Sequence, residues 1–290
     1  AAHRTSGSAV CRNGSAVTLS VADALIQGQS LGLDSVDVQV LLATALQKPR
    51  TFLLAFPERL LTEHQAIRYQ GWLARRVTGE PVAYLVGERE FWSLALKTNA
   101  STLIPRPDTE ILVETVLAHF GPAPRVCLDL GTGTGAIALA LKSERAAWHV
   151  AGLDRQAAAV QLAQENALAL ALAVEFRVGD WCDDVAPGSV DLLVSNPPYI
   201  DANDPHLQLG DVRFEPSSAL IADRGGLAAF DKIIAQARIC LSAGGGLFFE
   251  HGWQQASAVR ALLSDAGFSR IETVTDYGGN ARVTLGYLQP

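Results

Sequence analysis

Two short segments of this sequence combine residue types and spacing that suit the binding of a nucleoside and the holding of a planar NH₂ group. The first, Asp129-Leu-Gly-Thr-Gly-Thr-Gly-Ala136, follows the start of an apolar run at Val126. Alternate glycines let the backbone approach a ligand closely, and a helix that begins after them directs N–H groups toward it. Asp154 follows the next apolar run, where its carboxylate could accept from the hydroxyls of a ribose. This spacing predicts a nucleoside-binding loop.

The neighbours of this loop help to choose between two nucleoside ligands. Written as GxGxxA, the loop suits NAD; written as DxGxGxG, it resembles the first motif of S-adenosylmethionine (SAM) methyltransferases. Asp129 favours SAM, because a carboxylate suits an ammonium group and would repel a pyrophosphate. Asp180 could accept from an adenine amino group, and Trp181 could pack on the adenine ring. The predicted cofactor residues are Asp129, Gly131, Thr132, Gly133, Thr134, Gly135, Asp154, Asp180 and Trp181.

The second segment, Ser195-Asn-Pro-Pro-Tyr199, ends the fourth apolar run of this region. Two prolines fix φ and give no N–H to a strand, and the residue before a proline is held extended. The side-chain oxygen of Asn196 and the carbonyl of Pro197 therefore form a rigid pair of acceptors for an NH₂ group. Tyr199 could cover the flat face of the substrate and offer its π-face to a sulfonium. We interpret Asn196, Pro197, Pro198 and Tyr199 as the catalytic segment.

Alternating strand and helix patterns surround both segments. The predicted strands are Val126–Leu130, Val150–Leu153, Val174–Val178, Val190–Val194 and Leu247–Glu250, and helical stretches separate most of them. This order is typical of an α/β fold with a doubly wound, Rossmann-like parallel sheet covered on both faces. Two more β-rich runs, Ile271–Val274 and Arg282–Leu288, flank Gly278-Gly-Asn280, which predicts an antiparallel hairpin at one edge of the sheet.

The rest of the chain divides into three parts. Residues 1–18 are interpreted as a disordered tail or extension, and residues 19–80 as a small all-helical N-terminal domain. Asp34 is a predicted N-cap, and Thr62 with Gln65 forms a capping box for a helix that ends near Val77. Residues 81–107, where Val82, Tyr84 and Val86 alternate, predict a hairpin linker. The sheet domain then occupies residues 108–290, with Asp108 or Thr109 capping its first helix.

Composition narrows the possible functions. Among 290 residues, 30 Asp and Glu outnumber 23 Lys and Arg, for a net charge of −7, which argues against binding nucleic acid by neutralising phosphates. No apolar run approaches the roughly 18 residues that cross a bilayer. The four cysteines show no metal-ligand spacing, so we expect reduced thiols and no structural metal.

Taken together, the motifs resemble the PrmC/HemK family of N5-glutamine methyltransferases. The resemblance extends over about residues 19 to 288 and is carried by 79–87, 90–92, 103–110, 129–136, 195–200, 211–216, 250–253 and 276–278. It implies a class I SAM-dependent methyltransferase fold and SAM as the cofactor. It also implies that the methyl acceptor is the glutamine of a Gly-Gly-Gln motif in class 1 peptide chain release factors.

The same resemblance implies that the helical N-terminal domain helps to bind the release factor. We further expect a monomeric, cytoplasmic protein with no membrane or direct nucleic-acid contact. An adenine N6-methyltransferase, which would use the same Asn-Pro-Pro-Tyr segment, is the alternative. A nicotinamide oxidoreductase is a weaker alternative, since it would leave Asn196 to Tyr199 without a role.

Overall fold

The computed structural model describes residues 19–289, so the predicted tail over 1–18 lies outside the described residues. The chain divides into two compact units between Val86 and Gly87. Each unit is described by itself.

The N-terminal unit is helical, as its capping signals predict. Its helices are α1 Val21–Ser30, α2 Ser35–Leu46, α3 Arg50–Ala55, α4 Glu63–Val77 and α5 Val82–Val86. Asp34 accepts from the Val36 N–H at 2.7 Å, and Thr62 and Gln65 form the reciprocal capping box, so both predicted caps are confirmed. Gly28 allows close helix packing, because a Cβ there would lie 2.6 Å from Val38 Cγ1.

The alternation of Val82, Tyr84 and Val86 predicts the start of a hairpin, but the structure differs there. It forms helix α5, in which the N–H groups of Tyr84 and Leu85 donate to the Pro81 carbonyl at 3.0 and 3.1 Å. Proline is favoured at the start of a helix, and five residues are too few for alternation to separate a strand from a helical turn. The hairpin itself is shorter, with β1 Glu88–Phe91 antiparallel to β2 Leu94–Lys97.

The C-terminal unit contains the predicted sheet. Its strands are β3 Val126–Leu130, β4 His149–Asp154, β5 Glu175–Val178, β6 Val190–Ser195, β7 Leu241–Glu250, β8 Phe268–Thr275 and β9 Ala281–Leu288. They lie in the order β5-β4-β3-β6-β7-β9-β8, parallel from β5 to β7 and antiparallel at β9 and β8. The doubly wound sheet and the C-terminal antiparallel hairpin are thus confirmed.

Helices cover this sheet on two sides, with a separate apolar core under each. They are α6 Glu110–His119, α7 Ala136–Glu144, α8 Ala157–Leu170, α9 Ser217–Leu220, α10 Asp223–Gly226, α11 Ala228–Cys240 and α12 Ala256–Asp265. Phe248 and Phe249, neighbours on β7, are both fully buried and belong to opposite cores. Short 3₁₀ turns occupy Pro107–Thr109, Pro205–Gln208 and Gly210–Phe214.

Strand order brings the two chemical segments together. Because β4, β3 and β6 are parallel neighbours, their carboxyl ends meet at one edge of the sheet, where open α/β sheets bind ligands. The glycine loop follows β3, Asp154 ends β4, and Asn196 follows β6. Within residues 19–289, no helix is long and apolar enough to span a membrane.

Candidate active site

A cavity of about 440 Å³ opens at the carboxyl ends of the parallel strands. Nine of the thirteen predicted site residues line it: Gly131, Thr132, Gly133, Thr134, Asp154, Asp180, Trp181, Asn196 and Pro198. The other four, Asp129, Gly135, Pro197 and Tyr199, are not among the residues that line it.

The glycines of the loop differ in what they make room for. Gly131 adopts a φ of +71°, and a Cβ there would lie 3.3 Å from the indole of Trp181, which packs over the loop. Gly135 adopts a φ of +82°, and its Cβ would lie 2.8 Å from Phe176 Cζ on β5. Gly131 therefore shapes the cavity wall, whereas Gly135 lets α7 pack closely against the sheet.

The N–H groups of the loop are bonded within the protein. Those of Gly131 and Thr132 donate to the Leu153 carbonyl at 2.8 and 3.0 Å, and that of Gly135 donates to the Thr132 carbonyl at 2.8 Å. The Gly133 N–H donates to Asp154 Oδ2 at 3.0 Å. These four groups do not face a ligand as free donors, contrary to our expectation. The loop contributes shape, and these four N–H groups are not available to bind a pyrophosphate.

Asp129 occupies a different position from the one expected. Its side chain is fully buried within β3, and its Oδ2 accepts from the Thr132 hydroxyl at 2.6 Å. Burial raises the pKa of this carboxyl to about 7. Because Asp129 still belongs to the strand, its side chain points into the packed layer and not into the cavity. Through Oδ2 it anchors the loop from below, whereas its Oδ1 has no hydrogen-bond partner among the described residues. The contact with an ammonium group stays a prediction.

The remaining cofactor residues lie around the cavity. Asp154 accepts from the Gln156 N–H at 2.9 Å through its second oxygen, which fixes the carboxylate at the end of β4. Asp180 is ion-paired with Lys232 of α11, which also lines the cavity. The sequence did not reveal Lys232, because a lysine on a helix distant from Asp180 in the chain carries no motif. Trp181 has a φ of +55°, a left-handed conformation that turns its ring over Gly131.

The Asn-Pro-Pro-Tyr segment forms the opposite wall. The Asn196 Nδ2 donates to Thr109 Oγ1 at 3.3 Å, which leaves the amide oxygen at the other end of the group. Pro197 is buried and Pro198 lines the cavity. Thr109 and Asp108 precede α6, but neither side chain caps it, contrary to our expectation. The Thr109 hydroxyl is engaged with Asn196, a contact that the sequence could not show.

Tyr199 holds the segment from behind instead of lining the cavity. Its hydroxyl donates to Glu250 Oε1 at 3.4 Å, and its carbonyl accepts from Gln255 Nε2 at 3.0 Å. Burial and the nearby Glu250 raise the pKa of Tyr199. Tyr199 is half-buried, and its role in covering the substrate stays a prediction.

An ion pair between a half-buried arginine and a buried glutamate fixes the rim of the cavity. Arg106, which lines the cavity, pairs through Nη2 with Glu215 Oε2 at 2.7 Å. Glu215 also accepts from the Ile104 N–H at 3.1 Å, and burial raises the pKa of its carboxyl. A signal existed in the sequence: an arginine between two prolines and an acid before Pro216 are opposite charges on rigid segments.

The fold and the site define a class I SAM-dependent methyltransferase. A methyltransferase from Pyrococcus furiosus superposes with a TM-score of 0.54 at 16% identity, over 76% of this chain and 100% of that one. The T. thermophilus 16S rRNA N2 G1207 methyltransferase (RsmC), in complex with AdoMet and guanosine, superposes with a TM-score of 0.50 at 21% identity. That match covers 70% of this chain and 50% of that one.

Sequence comparison gives the family. Residues 19–87 match the PrmC N-terminal domain and residues 106–229 match the methyltransferase small domain. Proteins named release factor glutamine methyltransferase match at 52% identity in Escherichia coli (86% of this chain, 91% of the relative) and at 52% in Vibrio cholerae (90% and 92%). The chain belongs to the release factor glutamine methyltransferase family, and SAM is its cofactor.

Proposed function

We propose that this protein transfers a methyl group from SAM to the side-chain amide nitrogen (N5) of the glutamine in the Gly-Gly-Gln motif of class 1 peptide chain release factors. The observation that carries the proposal is the position of the Asn196 amide, on the wall of the same cavity as Asp154 and the glycine loop. The names of the relatives support the same substrate.

The residues of the cavity fit SAM better than a dinucleotide. Three carboxylates, those of Asp154, Asp180 and Asp223, line it together with the indole of Trp181, whereas the four loop N–H groups are already bonded. Asp154 would accept from the ribose hydroxyls, and Trp181 would pack against the adenine ring. When bound there, SAM supplies an electrophilic methyl group on a sulfonium.

The chain acts on the acceptor by orienting it. A glutamine amide nitrogen is a weak nucleophile because its lone pair is delocalised into the carbonyl group. If Asn196 Oδ1 and the Pro197 carbonyl accept its two hydrogens, they hold the nitrogen in place and direct its remaining lone pair. Positioning of this kind can contribute a factor of about 10⁵ or more in effective concentration. The methylated, protonated nitrogen is very acidic and loses its proton to water, so no residue needs to act as a base.

The proposal extends to the partner and to the state of the protein. The helical unit would provide part of the release-factor surface, and the protein would work as a monomer in the cytoplasm. Light scattering of the purified protein, alone and mixed with a release factor, tests the monomer and the complex. A stable dimer would contradict the monomeric state without affecting the chemistry.

The decisive experiment is mass spectrometry of a purified release factor after incubation with SAM and this protein. We expect one added methyl group on the Gly-Gly-Gln peptide. A release factor with alanine in place of that glutamine is the control and should gain nothing. Methylation of DNA or RNA adenine, with none on the release factor, would overturn the proposal in favour of the adenine N6 alternative.

A further inference from the structure

We propose that Thr109 and Glu250 are positioning residues that determine which end of the Asn196 side-chain amide faces the substrate. This inference rests on the proposed function, because it concerns how the acceptor amide is held. Neither residue belongs to the glycine loop or to the Asn-Pro-Pro-Tyr segment. Thr109 lies at the start of α6, and Glu250 is the last residue of β7.

The orientation of Asn196 decides whether it attracts or repels the acceptor. A side-chain amide has an oxygen that only accepts and an NH₂ group that only donates. A glutamine NH₂ brings two donors, so Asn196 must present Oδ1. The torsion that exchanges the two ends has broad, nearly equivalent minima, so the amide group alone does not select one of them. A fixed partner on the protein side must make the selection.

Thr109 is placed to select the orientation of the Asn196 amide. Its Oγ1 lies 3.3 Å from Asn196 Nδ2. Thr109 is only 5% exposed, so water competes little for this contact. A hydroxyl, however, both donates and accepts. If its hydrogen were free to turn toward Asn196, Thr109 would stabilise the opposite orientation equally well. Thr109 therefore selects the productive orientation only if its hydrogen is directed elsewhere.

Glu250 is the acceptor toward which the Thr109 hydrogen is directed. The residue is 1% exposed, and its Oε1 accepts from the Tyr199 hydroxyl at 3.4 Å. Its Oε2 has no partner that meets ordinary hydrogen-bond geometry among the described residues. The Thr109 hydroxyl lies near this carboxylate and favours its charged form. A carboxylate only accepts, so it draws the Thr109 hydrogen and leaves a hydroxyl lone pair for Asn196 Nδ2.

This arrangement makes the orientation of the Asn196 amide depend on pH. Burial raises the pKa of Glu250 to about 7. The charged or titratable groups that face it are Tyr199, Arg282 and Asp108, and Arg282 pairs with Asp108 at 3.1 Å. Protonated Glu250 becomes a donor, which frees the Thr109 hydrogen to bond Asn196 Oδ1 and hold the amide the wrong way. The productive orientation is therefore present above pH 7 and lost as the pH falls through 7.

Two other buried titratable groups lie near the site, and their effects can be told apart from the titration of Glu250. His251 follows Glu250, but burial lowers the pKa of its imidazole, so it stays neutral over this range. Burial also raises the pKa of Asp129 to about 7, beneath the glycine loop. Its protonation would act on the cofactor loop and would persist when Thr109 or Glu250 is replaced.

The first test compares Thr109→Val, Thr109→Ser and Thr115→Val. Valine keeps the shape of threonine and removes the hydroxyl, and serine keeps the hydroxyl. Thr115 is a buried threonine of α6 whose hydroxyl donates to the Ile111 carbonyl at 2.6 Å. We expect Thr109→Val to lower kcat on a release factor by about ten- to a hundredfold with an unchanged Kd for SAM. Thr109→Ser should restore kcat, and Thr115→Val should leave it unaltered.

The second test needs no activity. The NH₂ group of Asn196, assigned in ¹⁵N–¹H spectra by its loss in Asn196→Asp, should shift with a midpoint near pH 7 in the wild type. The shift should vanish in Thr109→Val and Glu250→Gln. Wild-type kcat in Thr109→Val together with an unaltered titration would overturn the inference. A wild type that fails to methylate any release factor would instead overturn the proposed function, while the spectra still test the positioning pair.

Discussion

The two walls of the cavity are built in different ways. The cofactor wall is local: Gly133 and Asp154, joined by a hydrogen bond of 3.0 Å, are 21 residues apart on adjacent strand ends. The acceptor wall depends on distant residues, since Asn196 and Thr109 are separated by 87 positions. The cofactor wall consequently appears in the sequence as a continuous motif with a spaced acid. The acceptor wall shows only its central segment, and the residues that hold this segment come from other elements.

The largest expected effect tests the acceptor wall alone. Asn196→Ala should lower kcat by about 100- to 1000-fold, because a preorganised polar group aimed at the reacting nitrogen is lost. Binding of SAM, measured by calorimetry, should stay within a few-fold of wild type because Asp154 and the glycine loop are intact. Asn203→Ala, an exposed asparagine of the following loop, is the matched control. Near-normal turnover in Asn196→Ala would remove the distinction between the two walls.

The next effect concerns the stability that the cofactor wall lends to the fold. Gly135→Ala places a Cβ 2.8 Å from Phe176 Cζ at a φ of +82°. Left-handed strain and overpacking together should lower the free energy of unfolding by about 2–4 kcal/mol, measured by urea denaturation.

Gly188→Ala is the control for Gly135→Ala. Gly188 also has a positive φ, +63°, but nothing lies within 4 Å of its Cβ position. It should therefore lose only the backbone part, about 1–2 kcal/mol. Equal losses in the two variants would show that the contact with Phe176 adds nothing.

The contrast between the two walls also explains which parts of the fold and the site could be predicted from the sequence. Periodicity located all seven strands of the sheet, including β5 and β8, which are only partly buried. The motif placed Gly131, Asp154 and Asn196 on one cavity. It could not show that Asp129 is buried beneath the loop or that the Tyr199 hydroxyl bonds Glu250, since a residue's place in a motif says nothing about side-chain direction at a strand end. Glu250 was hidden for a similar reason: its partner lies on another element, and only the folded chain brings them together.

A smaller effect belongs to the ligand side of the cofactor wall. Asp154→Ala should weaken SAM binding by about 1.5–3 kcal/mol, the cost of losing a charged hydrogen-bond acceptor. The loop should also loosen, because the Gly133 N–H loses its acceptor. Asp265→Ala, an exposed acid at the end of α12, is the control for the loss of one negative charge. Calorimetry that gives the same Kd for Asp154→Ala and wild type would refute the assigned contact.

The smallest expected effect on binding is the sharpest test of how the cofactor wall is built. If Asp129 met the ammonium group of SAM, as its place in the motif first indicated, Asp129→Asn would cost about tenfold or more in Kd. The structure buries Asp129 beneath the loop, bonded to Thr132 at 2.6 Å, so we expect a change of less than about threefold.

Asp129→Asn should act instead on the pH dependence of stability. Burial raises the pKa of the folded carboxyl to about 7, against about 3.9 in an unfolded chain. The folded state therefore binds a proton that the unfolded state releases, and this stabilisation is complete below pH 4 and lost as the pH rises to 7. Asparagine carries no such proton, so part of the decline in unfolding free energy between pH 4 and 7 should disappear, while Glu250 retains its share. If Asp129→Asn leaves the decline in unfolding free energy unchanged and greatly lowers the affinity for SAM, Asp129 lies on the cavity side of the loop. Its charge would then contribute to cofactor binding, as the motif first indicated.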